Sequence, residues 1–138
     1  MARAGFQFEE HTVTTEDGYI LALYRIPGML HDEDIVDEEN LDTGLIDETI
    51  EKPAVYFQHG ILDSANAWVM HYSDIAPAFV AARAGYDVWL NNSRGNTFSR
   101  RHISLNPDTD KEAFWNFGWE EMGKYDVPAV IDYILDMK

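Results

Sequence analysis

The chain contains no cysteine. A disulfide framework, thiolate catalysis and cysteine-ligated metals are therefore excluded. Cations are scarce: ten Lys and Arg stand against 25 Asp and Glu, for a formal net charge of −15. Phosphate binding needs clustered Lys and Arg, so the charge argues against a nucleic-acid partner. No apolar run approaches membrane-spanning length, and the start, Met1 to Glu10, has no apolar core of the secretory kind. This leaves two expectations for localisation: an intracellular protein, or a chain whose natural start lies elsewhere. His11, His31, His71 and His102 show no metal-ligand spacing, so no metal centre is expected.

Hydrophobic residues make up 46% of the 138 positions, and Tyr, Phe and Trp together number 18. That is a globular balance, and the length suits one domain spanning residues 1–138. The charge is concentrated. Residues 31–51 hold ten acidic side chains and no Lys or Arg, leaving fifteen acidic against ten basic elsewhere. Residues 29–51 therefore read as a solvated acidic loop insert. A calcium site is the sharper alternative, but an EF-hand loop needs Gly at its sixth position, and Asp37 stands there if Asp32 is first.

The elements follow from periodicity. Phe6 to Thr15 and Tyr19 to Ile26 flank Asp17-Gly18, which predicts a β-hairpin at the edge of a larger sheet. Residues 53–58 read as a short buried strand. A helix is expected from Ser73 or Asp74 to Arg83, capped by one of those residues and closed by Gly85. Its apolar face would carry Ile75, Phe79, Val80 and Ala82. Residues 86–90 form a second buried strand, parallel to the first through a right-handed crossover. Val127, Val130, Ile131, Ile134 and Leu135 repeat at helical spacing, and Pro128 should start or kink that helix near Asp126.

The chemistry concentrates after the first parallel strand, at Gln58-His59-Gly60-Ile61-Leu62-Asp63-Ser64. In open α/β sheets ligands bind at the carboxyl ends of strands. Gly60 lets the backbone turn sharply and approach a ligand. The turn could supply backbone N–H groups to a developing oxyanion, or it could be an ordinary strand-to-helix turn. His59 reads as a hydrogen-bonded structural histidine rather than a base, and Asp63 and Ser64 as turn or cap residues. Ser93 is the first candidate nucleophile, set against the reading the residues favour, a structural loop serine. Asn91-Asn92-Ser93-Arg94-Gly95 resembles a Gly-x-Ser-x-Gly turn with Asn91 in the first Gly position, and no helix follows at once. Arg94, Arg100 and Arg101 read as a positive surface patch on the 91–107 loop, with Glu112, Glu120, Glu121 or Asp126 as partners.

Several blocks in register match a known family. Thr14-Thr15-Glu16-Asp17-Gly18-Tyr19-Ile20-Leu21 resembles the opening hairpin of the acid lipases, the lysosomal and gastric type of α/β-hydrolase. Gln58 to Ser64 resembles that family's oxyanion loop. Ala84 to Leu90, Asn92 to Thr97, Ser99 to His102, and Trp119 to Ala129 are similar to its following blocks. The resemblance implies an incomplete α/β-hydrolase fold, in which an N-terminal hairpin is followed by parallel strands with crossover helices. It implies hydrolysis of triacylglycerols or cholesteryl esters with no cofactor, and Ile61 as the residue whose backbone N–H meets the oxyanion, with His59 and Gly60 shaping the loop. It also implies a secreted or lysosomal setting, at odds with the missing signal core, so localisation stays open.

No Gly-x-Ser-x-Gly occurs in these 138 residues. In the family that turn follows the strand after the final helix here, and the acid and base come later, so none of the triad is expected in this chain. Three readings follow: the oxyanion-bearing N-terminal segment of a lipid ester hydrolase, inactive alone; a non-catalytic half-hydrolase module that binds lipid or completes its sheet with another chain; and a small esterase using Ser93.

Overall fold

The computed structural model describes residues 5–29 and 52–138. The acidic insert beyond Met29, with the calcium alternative at Asp32 and Asp37, lies outside the described residues. The first strands, β1 (Glu9–Thr14) and β2 (Tyr19–Ile26), pair antiparallel across the Asp17-Gly18 turn. Gly18 sits at φ +95° and its N–H bonds the Thr15 carbonyl at 2.9 Å. A side chain there would meet the His102 ring at 2.8 Å, so both the backbone angle and the close approach require glycine.

A five-stranded sheet is built outward from β2. Strand β4 (Asp87–Asn91) pairs antiparallel with β2, and β3 (Ala54–Phe57) runs parallel to β4, giving the order β1-β2-β4-β3. A short β5 (Arg101–His102) adds to β2 at Tyr19 and Ile20. The period-2 alternation of β2 and β4 decides which face each residue meets. Ala22, Tyr24, Ile26, Val88 and Leu90 join one core with Phe79 and Ala82 of helix α1 (Pro77–Arg83). Leu21, Leu23 and Trp89 join the opposite core with Phe114 of α2 (Lys111–Phe114). Val130 and Ile134 of the last helix complete that second core. Helices thus cover both faces of the central strands, and each fully buried Leu, Ile or Val contributes about 1.5–3 kcal/mol.

Two expectations need correction. Residues 53–58 do not form a buried strand: Ala54 is exposed and Val55 to Phe57 are half-buried, because among the described residues β3 pairs with β4 alone and is an edge. The helix at 73–83 begins only at Pro77, without a cap from Ser73 or Asp74. Proline has no N–H to give and forces Ala76 into extended geometry, ψ 126°, so the helix cannot begin earlier. Ile75 and Val80, expected on its buried face, are exposed, and Ala78 takes their place. The C-terminal end is as expected. Gly85 at φ +89° returns its N–H to Ala82 while Tyr86 bonds Ala81, a Schellman closure.

The last helical segment is compound. One α-turn, α3 (Trp119–Glu121), leads into a π-turn (Met122–Asp126), then α4 (Val127–Asp136). The Val127 N–H bonds the Met122 carbonyl, five residues back. Pro128 has no N–H for the Lys124 carbonyl, so the wider turn sits where the regular ladder must break. Of the five apolar positions on this helix, Val130 and Ile134 are buried, while Ile131 and Leu135 remain exposed.

Candidate active site

The carboxyl ends of β3 and β4 carry two neighbouring loops, 58–64 and 92–99. Between them and the aromatic residues Trp115, Phe117 and Trp119 lies a cleft of about 910 Å³. That is the size of an ordinary ligand site. The loop after β4 is knit by its own polar side chains. Asn92 is fully buried; its Oδ1 accepts from the Ala65 N–H at 3.1 Å and the Asn96 amide at 3.0 Å, and its Nδ2 donates to the Ala22 carbonyl at 3.2 Å. Asn96 Oδ1 accepts from the Phe98 and Ser99 N–H groups, both at 2.9 Å. Ser99 Oγ bridges the Asn92 carbonyl and the Ala22 N–H. These bonds tie β2, the 92–99 loop and the 3-10 turn Ala65–Trp68 into one unit.

His59 is 8% exposed and faces this unit. Its Nε2 accepts from the Ser93 backbone N–H at 3.0 Å, with Asn96 Nδ2 at 3.3 Å, and its Nδ1 lies 2.7 Å from the Gly60 carbonyl. Each ring nitrogen is thus engaged with loop groups. Ser93 Oγ accepts from Gln58 Nε2 at 2.9 Å, and no imidazole is bonded to it among the described residues. A serine needs a base on its hydroxyl to become a nucleophile. Tyr56 and Asn91 both donate to Gln58 Oε1. Burial pushes the Tyr56 phenol up to about 12, so it stays a donor, and Gln58 must turn its amide nitrogen to Ser93.

The oxyanion-loop candidate is open by contrast. Ile61 is 58% exposed and Leu62 fully so. No described residue accepts from the Ile61 N–H. The sharp turn expected at Gly60 falls instead at Leu62, whose φ of +60° is the left-handed region where a branched side chain is strained. At Gly60 a Cβ would meet nothing within 4 Å, so the space beside that peptide is free. Asp63 accepts from the Ser64 N–H and Ser64 caps the 3-10 turn through Asn66, as turn and cap residues do.

Arg94 overturns its expected place on a surface patch. It is 2% exposed and held by two carboxylates. Its Nε and backbone N–H reach Asp126 at 2.8 and 3.0 Å, and its two terminal nitrogens clasp Asp17 at 2.6 and 2.8 Å. The guanidinium stacks 4.0 Å over Tyr19. Burial pushes the Asp17 carboxyl up, but hydrogen bonds from Arg94 and Thr15 and the Arg94 charge outweigh it, so the group sits below its ordinary value. Asp126 lies deeper, and burial holds it above the ordinary value despite Arg94. Only Arg100 and Arg101 of the supposed patch are exposed, and Arg100 pairs with Asp108. A second bidentate pair joins Arg25 to the buried Asp87 at 2.8 and 3.0 Å.

Comparison with known proteins decides the family. A family model for the partial α/β-hydrolase lipase region matches residues 1–72, and one for the α/β-hydrolase fold matches 53–138. Human lipase member K is 46% identical over 132 residues, covering 96% of this chain and 29% of that protein. Mouse gastric triacylglycerol lipase is 45% identical over 132 residues, covering 95% and 29%. Human lysosomal acid lipase/cholesteryl ester hydrolase is 45% identical over 132 residues, covering 96% and 29%. The chain belongs to the acid lipase family of α/β-hydrolases. It matches the N-terminal part of these acid lipases and spans under a third of their length. Among the described residues no helix is long and apolar enough to cross a membrane.

Sequence reasoning missed the three residues that organise the acid-lipase loop pair: Gln58, Asn92 and Asn96. The available signal was Asn91-Asn92-Ser93 itself, a polar triplet closing a buried strand. Short amides there satisfy backbone groups that water cannot reach.

Proposed function

We propose that this chain builds the oxyanion side of a lipid ester hydrolase's active site, with the Ile61 backbone N–H as a donor and no nucleophile of its own. The carrying observation is the exposed Ile61 at the cleft, whose N–H has no partner among the described residues, beside open space at Gly60 and braced by a polar lattice around the buried Asn92. An oxyanion site needs donors fixed in advance, because reorganisation at the moment of reaction would cancel the gain. The relatives' names support a lipid ester as substrate, and the cleft offers apolar surface from Ile61, Trp115 and Trp119. The acid lipase Ser, Asp and His lie outside these 138 residues in this reading.

The test is a chimera in which residues 1–138 replace the matching segment of mouse gastric triacylglycerol lipase. It should hydrolyse triacylglycerol, and Ile61→Pro, which deletes the N–H, should lower kcat by about 10²–10³. Unchanged turnover in a folded Ile61→Pro chimera would sink the reading. The chain alone should show no ester turnover, and equal turnover before and after Ser93→Ala would dispose of Ser93 as nucleophile.

Among the described residues one flank of β3 is unpaired, which favours a second reading, a non-catalytic module that pairs this edge with another chain. Sedimentation of a monomer at all accessible concentrations, with no strand-forming partner recovered, would remove it.

A further inference from the structure

We propose that His59 is a positioning residue: a neutral imidazole, its proton on Nδ1, that clamps the Gly60 carbonyl and so aims the Ile61 N–H, with Asn96 helping to select that tautomer. The catalytic consequence rests on the oxyanion reading above; the clamp itself rests on hydrogen bonds alone.

Each partner of the ring has one possible role. The Ser93 backbone N–H can only donate, and it lies 3.0 Å from Nε2. Asn96 Nδ2 approaches the same nitrogen at 3.3 Å, and its orientation is set because Oδ1 is committed to the Phe98 and Ser99 N–H groups. Two donors converging on Nε2 leave no place for a proton there. The Gly60 carbonyl can only accept, and it lies 2.7 Å from Nδ1, so the proton belongs on Nδ1.

The consequence passes through one peptide unit. In a trans peptide the N–H points opposite to the C=O, and no described bond is cis. With the Gly60 carbonyl held on the buried ring, the Ile61 N–H must face away from it, on the open side of the turn. Glycine is the residue with the freest backbone, so a peptide following Gly60 would otherwise rotate readily. His59 removes that freedom without touching the reacting atoms. Imidazolium would lose the clamp's other end, since a protonated Nε2 cannot accept from Ser93.

Three measurements test this. The two-bond 15N–1H spectrum of the full chain, taken at about pH 8 where an ordinary imidazole is neutral, should show His59 as a single Nδ1–H tautomer. A proton on Nε2, or an average of both forms, overturns the clamp. Residual dipolar coupling then reads the direction of the Ile61 N–H. His59→Gln sets its amide about where Nε2 stands, so its oxygen can accept from Ser93 while no donor remains at the Nδ1 position beside Gly60, and the Ile61 coupling should change while those of β2 and β4 hold. His59→Asn, whose Nδ2 stands near the place of Nδ1, should restore it. An unchanged Ile61 coupling in the Gln variant overturns the clamp, and if that variant fails to fold the tautomer spectrum decides.

In the lipase chimera, His59→Gln should lower kcat at least about tenfold with KM nearly unchanged, and His59→Asn should recover most of it. If Ile61→Pro lowers kcat and His59→Gln does not, the clamp is wrong and the oxyanion reading stands. If neither does, the oxyanion reading itself has failed.

Discussion

Two loops leave the same edge of the sheet and solve opposite problems. Residues 92–99 include four buried residues, Asn92, Ser93, Arg94 and Ser99, and spend their polar side chains on internal hydrogen bonds, Asn92, Asn96 and Ser99 to backbone groups and Ser93 to Gln58. Residues 60–63 are exposed, place a branched side chain in a left-handed backbone and leave an N–H without a described partner. On the oxyanion reading proposed above, a donor for a ligand is held without being satisfied: the 92–99 loop absorbs the hydrogen bonds, and the open loop takes its order from the proposed His59 clamp. Removing brace contacts should therefore cost stability, whereas changes at the tip should cost little or even stabilise.

The largest expected effect lies behind the brace. Arg94→Ala leaves Asp126 buried without its cation and should lower unfolding free energy by about 3–5 kcal/mol, read by urea denaturation of the 138-residue chain. Arg100→Ala, at an exposed pair, should leave the midpoint in place. Next is a glycine contrast between the loops. Gly95 stands at φ +80°, and a Cβ would meet Phe117 at 2.6 Å and Trp115 at 2.8 Å. Gly95→Ala should cost about 1–3 kcal/mol, while Gly60→Ala should move stability by under about 0.5 kcal/mol. Equal losses at both positions would erase the distinction between brace and tip.

At the tip, Leu62→Gly relieves the left-handed strain and should raise stability by up to about 1 kcal/mol; a loss would mean that Leu62 packs against something. The smallest effect concerns acid. The Asp17 carboxyl titrates below its ordinary value in the folded chain, so its contribution is complete above about pH 4 and fades as pH falls through the lowered value. Asp17→Asn should flatten the acid limb of the stability curve below about pH 4 and leave the response to rising pH unaltered.

The hairpin was legible because Asp17-Gly18 is a local instruction: the backbone angle and its residue are adjacent. The β3–α1–β4 crossover was legible for a similar reason, since apolar runs and Gly85 punctuate it. The candidate site was legible only as a place. His59, Gly60 and Ile61 stood out, but the strain at Leu62 did not, because nothing near it in sequence marks a left-handed leucine. Arg94 was misplaced on the surface for a physical reason. Asp126 was among the partners expected for it and does pair with it, but Asp17 lies 77 positions away, and a charged residue looks solvated until all its counter-charges arrive. Apolar periodicity likewise overstated burial at Ile75, Val80, Ile131 and Leu135. It marks which side of a helix is greasy, without marking how much of that side a neighbour reaches.

The π-turn at Met122–Asp126 is a helix carrying one residue too many. Each α-helical residue advances the azimuth by about 100°, so one surplus residue resets the phase of everything after it by about that angle. Upstream of the reset, Trp119 is dealt to the cleft; downstream, Val130 and Ile134 are dealt to the sheet, and Asp126 at the join is dealt to Arg94. The segment thus behaves as a gear with a shifted tooth. Deleting Gly123, at which a Cβ would meet only open space, would remove no side chain and still rotate one half of the helix out of mesh with the other.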